Sequence, residues 1–172
     1  MKKLIITFLF LASLLTACGI NPSFVTDVEK INNAAAEIVK FDLPEGFLPE
    51  LSVNFKEYTM VSYKSGNGGT HLYFIQVNNP IESEILSQQV EVFVTNTVSP
   101  ENRTKVLESR PVVVRGKETT LVLSQGLNGN GKTYRQAMVA FEGLGGPAML
   151  IFSTPTDVWN LDTLNTLIES IE

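Results

Sequence analysis

Two kinds of hydrophobic spacing alternate along the chain. In three segments apolar residues recur at steps of three and four, which predicts helices over about 24–40, over 80–98 and from Leu161 to Ile171. Between them lie runs rich in β-branched and aromatic residues, which predict strands at 51–64, 71–77, 104–115, 118–125, 133–142 and 147–153. The predicted order is therefore helix, two or three strands, helix, four strands, helix.

Helix-start and turn residues support this order. Thr26 and Glu29 have the spacing of a capping box, Asn79 precedes a proline, and Asn160 or Thr156 is placed to cap the last helix. Short glycine-rich turns separate the late strands, which predicts antiparallel hairpins. The pattern indicates one α+β domain, an antiparallel sheet of about six or seven strands with helices packed on it, preceded by an N-terminal helix.

The first seventeen residues have a different character. Two lysines follow Met1, and an uncharged, largely apolar run of twelve residues then extends from Leu4 to Leu15. A bilayer-spanning helix needs about 20 apolar residues, so this run is typical of a signal peptide. The run ends in Leu15-Thr16-Ala17-Cys18, which resembles the lipobox of bacterial lipoproteins.

The lipobox resemblance implies cleavage between Ala17 and Cys18 and a diacylglycerol on the Cys18 thiol. Two or three acyl chains hold a protein on a membrane where a single chain holds it only weakly. We expect a signal peptide at 1–17, a lipidated N-terminus and spacer at 18–23, an N-terminal helix at 24–40 and a domain at 41–172. That helix is either a stalk or part of the domain.

The resemblance also implies an extracytoplasmic location, with the lipid bilayer as a partner through acylated Cys18. Gly19 follows the cysteine, and an aspartate there would mark inner-membrane retention by the enterobacterial rule. In a cell with two membranes the expected position is the periplasmic face of the outer membrane. In a cell with one membrane it is the outer face of that membrane.

Composition and charge exclude several functions. The 172 residues include 13 Lys and Arg against 18 Asp and Glu, for a net charge of −5. Loss of Lys2 and Lys3 with the signal peptide leaves 11 against 18, or −7, which argues against nucleic acid as a partner. One Cys and one His exclude an internal disulfide and a Cys/His zinc cluster, and we expect neither metal nor cofactor.

One segment, Gly126–Thr133 (GLNGNGKT), formally matches the phosphate-binding P-loop pattern. In a P-loop a helix follows the lysine and directs its dipole at the phosphate. Here the residues after Lys132 alternate like a strand, and Gly143 ends the run. We therefore interpret the segment as a hairpin turn and expect no nucleotide partner.

Catalytic groups are sparse. His71 is the only histidine, so a Ser-His-Asp hydrolase would have to use it, and no G-x-S-x-G elbow is present. Asp157 and Asp162 flank Trp159 and suit the first turns of a helix better than a catalytic pair. Most aromatic residues are expected in the core. The sequence thus predicts no catalytic residues and a protein that is not an enzyme.

The mature chain resembles the PsbP-like and DcrB-like proteins, small α/β/α sandwiches that include many bacterial lipoproteins. The matching features are an opening strand at 41–47, the helix at 80–98, Val112–Gly116 leading into a hairpin, the late strand Tyr134–Phe141 and the closing helix through Leu167 and Ile171. The resemblance implies an α/β/α sandwich with a non-catalytic accessory or binding role. The helix at 24–40 departs from it.

Together these features predict a membrane-anchored extracytoplasmic lipoprotein of a non-enzymatic type. Its expected role is to bind or support another component of the cell envelope, such as an envelope protein. The alternative is a carrier of a lipid or other apolar ligand in a cleft between aromatic residues, and a hydrolase comes third.

Overall fold

The structure is a computed structural model that describes residues 22–67, 69–78, 104–127 and 130–172. It contains eight strands and two α-helices within these ranges. The strands are β1 Ser23–Val25, β2 Phe47–Phe55, β3 Tyr58–Ser65, β4 His71–Val77, β5 Lys105–Val114, β6 Lys117–Leu127, β7 Thr133–Glu142 and β8 Pro147–Pro155. The helices are α1 Val28–Ile38 and α2 Leu161–Glu169, and a 3-10 turn at Thr156–Val158 precedes α2.

All eight strands join one antiparallel sheet in the order β1-β2-β3-β4-β8-β7-β6-β5. The fold is α+β, with a larger sheet than the six or seven strands predicted. The first four strands form one half and the last four form the other. The two halves meet where β4 pairs with β8, so the centre of the sheet joins segments distant in sequence.

The sheet gains strands at two places that the sequence pattern assigned otherwise. Residues 51–64 were predicted as one strand, but they belong to a hairpin of β2 and β3. Its tight turn places Lys56 at a φ of 52°, a conformation in which glycine or asparagine is more usual. Without such a residue the turn carries no sequence signal. A second strand, β1, lies within the stretch predicted as the N-terminal helix.

The separate helix predicted at 24–40 ahead of the domain is therefore not seen. Phe24 belongs to β1, and α1 begins only at Val28. Its N-cap is Asp27, whose carboxylate accepts the N–H of Lys30 at 3.0 Å, and not Thr26 of the expected capping box. Helix α1 packs on the sheet through three buried residues, Ile31, Ala35 and Ile38, so it is an integral part of the domain.

The core lies on one face of the sheet, which we call the inner face. Alternate residues of each central strand point into it, and both helices cover it. Among its fully buried members are Val61, Leu72, Phe74, Leu121, Val139, Leu150, Leu164 and Leu167. Phe41, placed in an opening strand by the family resemblance, instead follows α1 and packs its ring 4.4 Å from that of Phe74.

An α/β/α sandwich needs helices on both faces, whereas α1 and α2 share the inner face. The helix predicted at 80–98, with Asn79 as its cap, lies outside the described residues. Helix α2 begins as expected at Asn160, whose side-chain oxygen accepts the N–H groups of Asp162 and Thr163 at 2.9 and 3.2 Å. The sequence had left Asn160 and Thr156 open as caps, and the structure selects Asn160.

The two edges of the sheet differ. Strand β1 has only three residues and pairs with the middle of β2. Strand β5 is ten residues long, contains Pro111, and has a register shift between Val106 and Glu108. Both irregularities interrupt the row of backbone groups on its free side.

Candidate functional site

A row of polar side chains crosses the outer face of the sheet, the face opposite the core. The pairing registers place Lys64, His71, Ser153, Gln136 and Ser124 side by side on five successive strands, from β3 to β6. Directly paired residues of antiparallel strands point to the same face, so these side chains form one continuous line, which we call the polar row. The neighbouring line is mainly apolar and contains Tyr73, Ile151, Met138 and Val122.

A cleft of about 660 Å³ opens over the polar row at one end of the sheet. This volume lies within the usual range for small-molecule sites. Its walls combine tyrosine rings with neutral hydrogen-bonding groups and one lysine. The lining residues within the described ranges are Gly69, His71, Tyr73, Leu127, Asn130, Lys132, Thr133, Tyr134, Gln136, Ser153, Thr154 and Pro155.

Glu50 holds His71 at the mouth of the cleft. This residue lies at the register shift between Pro49 and Leu51, where β2 bulges. One carboxylate oxygen accepts a hydrogen bond from His71 Nδ1 at 3.3 Å, and the other lies 3.5 Å from Lys64 Nζ. The carboxylate thereby fixes the orientation of the imidazole and leaves Nε2 as its second polar atom.

Tyr73 extends this arrangement into the cleft. Its ring stacks on the imidazole of His71, with ring centroids 6.0 Å apart and ring planes 14° from parallel. Burial, together with the negative charge of Glu50, raises the pKa of Tyr73 above its ordinary value. At neutral pH the phenol therefore remains protonated and able to donate a hydrogen bond.

The P-loop-like segment is a hairpin loop between β6 and β7. Gly126 and Leu127 pair with Tyr134 and Thr133, and β7 begins directly after Lys132, where a P-loop would begin its helix. Packing favours glycine at position 126, since a Cβ there would lie 2.9 Å from the Tyr134 hydroxyl. Residues 128 and 129 lie outside the described part of the segment.

The structure brings together two candidates that the sequence kept apart. His71 starts β4 and Lys132 ends the β6–β7 loop, yet both line the cleft. The other two candidates lie elsewhere. Asp157 and Asp162 are exposed and occupy the first turns of the 3-10 segment and of α2.

Sequence reasoning missed Glu50, Gln136 and Ser153. Gln136 directly precedes the apolar run 137–141 and Ser153 directly follows the apolar run 148–152, and that change in polarity was the available signal. It gains meaning only when the strand pairing places the two side by side. The sequence gives no reason to distinguish Tyr73 and Tyr134 from the aromatic residues expected in the core, and both contribute to the cleft wall.

A charge-relay triad of the acid–histidine–serine type would place Glu50, His71 and Ser153 in that order. The geometry lacks two requirements of such a triad, a histidine–serine hydrogen bond and an oxyanion hole. Within the part of the chain that the structure describes, no hydrogen bond joins His71 to Ser153. Ser153 also lies within β8, which is paired on both sides. The backbone N–H groups around it are engaged in the sheet and are not free to stabilise an oxyanion.

Comparison with known proteins gives no family. No protein-family model matches the chain, and no curated protein sequence matches it. A solved structure, that of LpqN, which is involved in cell envelope biogenesis of Mycobacterium tuberculosis, is similar at 12% sequence identity and a TM-score of 0.42. The likeness covers 91% of this chain and 86% of that one.

Two observations bear on membranes and metals. Neither helix of the described ranges is long and apolar enough to cross a bilayer. The same ranges contain no cluster of three or more His, Cys, Asp or Glu side chains that could hold a metal ion. Ala17 and Cys18, the predicted cleavage and lipidation residues, lie outside the described chain.

Proposed function

We propose that this protein is a lipid-anchored, extracytoplasmic binding protein that holds a hydroxyl-rich component of the cell envelope, a glycan segment, in the cleft over the polar row. It binds this component without chemically changing it. The observation that carries the proposal is the composition of the cleft wall, which includes two tyrosine rings together with Gln136, Ser153 and Asn130.

The anchoring part rests on the first eighteen residues. A basic start, a twelve-residue apolar run and the box ending in Cys18 occur in the order and spacing of a lipoprotein signal. The mature chain carries a side-chain charge of −7, so attraction to an anionic membrane does not explain its localisation. The acyl chains on Cys18 do so instead.

The ligand class follows from the groups that line the cleft. Amide and hydroxyl groups both donate and accept hydrogen bonds, as sugar hydroxyls require. Tyrosine rings offer flat apolar surfaces on which the C–H faces of a pyranose ring can pack. None of the lining residues that the structure describes is a carboxylate, and Lys132 with His71 also suits a glycan that bears an acidic group.

The packing of the interior favours glycan binding over the alternative function, which is to carry a lipid or other apolar ligand. Large side chains such as Phe74, Leu72 and Leu150 fill the space between the sheet and the helices with no exposed surface. The cleft is outside this core and its wall includes the polar side chains of Gln136, Ser153 and Lys132, whereas apolar carriers enclose their ligand among hydrophobic groups.

The binding test uses the full lipidated chain in detergent and soluble oligosaccharides released from the envelope of the host. Calorimetric titration should show binding that falls at least fivefold in Gln136→Ala and Tyr73→Leu. Ser109→Ala, an exposed residue on β5, is the matched control and should bind like the wild type. Equal affinity in all four proteins, or turnover of a glycan, ester or peptide lost in His71→Ala, would overturn the proposal.

The anchor has its own test. Wild-type protein from membranes should show the added mass of the diacylglyceryl group on a chain that begins at Cys18. Cys18→Ala should lose this mass and leave the membrane fraction. An unmodified wild-type mass with unchanged membrane association would refute lipidation.

A further inference from the structure

An apolar band runs along the β1–β2 edge of the outer face. Phe24 is 65% exposed and Leu48 is 59% exposed, and Phe55 at the end of β2 is also exposed. Half-buried Leu51 and Val53 lie between them along β2. We call these five residues the edge band.

The pairing registers show that the band is continuous. Phe24 pairs with Val53, so both point to the same face. Along β2, Leu51, Val53 and Phe55 alternate onto this face, and the shift after Pro49 brings Leu48 onto it as well. Large apolar side chains grouped in this way mark a contact surface, in contrast to single exposed ones.

We infer that the edge band rests on the surface of the lipid bilayer that holds the acyl chains of Cys18. The inference rests on the proposed anchor. Only four residues separate Cys18 from Ser23, the first residue of β1. The five steps from Cys18 to Ser23, fully extended, span at most about 18 Å. The start of β1 therefore stays within that distance of the lipid headgroups. Phe24 directly follows Ser23, and Phe55 follows Asn54, the pairing partner of Ser23, so two exposed rings of the band lie at the tethered end of this edge.

The orientation has a consequence for the cleft. Leu48 pairs with Lys64, which begins the polar row, so the cleft and the edge band share the outer face. The cleft opens beside the bilayer, within reach of envelope molecules that are themselves rooted there. The opposite edge, β5, is seven strand spacings from β1, or about 34 Å, and points away from the membrane.

A fluorescence experiment tests this orientation. The chain has one tryptophan, Trp159, whose signal provides the background. Leu48→Trp adds a probe to the band, and Val113→Trp adds a matched probe on β5, where Val113 is 62% exposed. Both variants, lipidated at Cys18, are reconstituted into phosphatidylcholine vesicles with and without brominated acyl chains.

The brominated lipid should quench the probe at position 48 at least threefold more strongly than the probe at position 113. Adding Phe24→Ser and Phe55→Ser to Leu48→Trp should reduce this difference, with circular dichroism to verify the fold. Equal quenching at the two positions would overturn the inference. A blue shift at position 48 that depends on protein concentration and not on brominated lipid would also overturn it, because the band would then bind a second copy.

A second experiment tests the orientation of the edge band independently of whether cells acylate Cys18. Cys18 is the only cysteine, so the processed chain can be coupled there to a maleimide-bearing phospholipid. The quenching comparison then proceeds with a chemically defined anchor, whether or not cells acylate Cys18. Mass spectrometry of protein from cells shows whether Cys18 is acylated. The difference in quenching between positions 48 and 113 shows whether the edge band faces the bilayer.

Discussion

The carboxylate of Glu50 lies 3.3 Å from Nδ1 of His71, so a residue at a β-bulge fixes the imidazole at the mouth of the cleft. Glu50→Gln should weaken glycan binding severalfold, because the imidazole loses its charged partner. The free energy of unfolding should change by less than about 1 kcal/mol, since both side chains are about one-third exposed. Titration calorimetry and urea unfolding measure the two effects.

Glu108 supplies the control for this change. Its carboxylate lies 3.1 Å from Nε of Arg110 at the far edge of the sheet, and its side chain is about half exposed. Glu108→Gln should leave glycan affinity unchanged. If both substitutions reduce affinity equally, the effect comes from net charge and the positioning role of Glu50 is wrong.

Gly146 closes the turn between β7 and β8 at a φ of +146°, with the space for a Cβ occupied by the carbonyl oxygen of Val77. Gly146→Ala should lower the free energy of unfolding by about 2–4 kcal/mol, because strain and a backbone clash combine. Gly116 in the β5–β6 turn has a φ of +73° and no atom near its absent Cβ. Gly116→Ala should cost only about 1–2 kcal/mol. Equal costs in urea unfolding would contradict the predicted clash.

Burial raises the pKa of Tyr63 to about 12, and its hydroxyl lies 3.4 Å from Oδ1 of Asn32 on α1. In the unfolded chain the phenol ionises near pH 10, so between pH 10 and 12 the folded state binds more protons. The stability that Tyr63 contributes is complete below pH 10 and is lost as the pH rises toward 12. Between pH 8 and 11.5 the wild type should lose on the order of 2 kcal/mol more than Tyr63→Phe. Parallel urea curves at the two pH values test this, and an identical loss in both proteins would contradict it.

The cap of α2 depends on one side-chain oxygen. Asn160→Ala leaves the N–H groups of Asp162 and Thr163 without their acceptor and should cost about 1 kcal/mol. Asn160→Asp keeps an acceptor and places a negative charge at the helix N-terminus, so it should match the wild type or exceed its stability. Thermal unfolding distinguishes the two variants, and equal loss in both would argue against a capping role.

Local sequence signals predicted much of the second half of the chain. Short glycine turns specified the hairpins of β5 to β8, and Asn160 specified the start of α2. Where the turn lacked such residues, as at Lys56, the hairpin went unrecognised. Phe24 matched the helical spacing of the residues after it, yet pairing with Val53 placed it in a strand. Tertiary pairing overrode local spacing there.

The candidate site was less predictable than the fold. Its polar row is assembled by strand pairing across β3, β4, β8, β7 and β6, an order that the chain sequence does not specify. The sequence marks His71 and Lys132 as candidates for two different kinds of site. No local pattern indicates that they share one cleft. Glu50 reaches His71 only because a bulge changes the direction of β2.

The proposed anchor would hold many copies of this protein on one membrane, and the irregularity of edge strand β5 has a consequence there. Molecules held on a surface meet at far higher local concentration than the same molecules in solution. A long, regular edge would then recruit a neighbour's edge and extend into a continuous sheet. Pro111 removes one backbone donor from β5 and the register shift near Glu108 distorts its course, so this edge is an irregular template for such pairing.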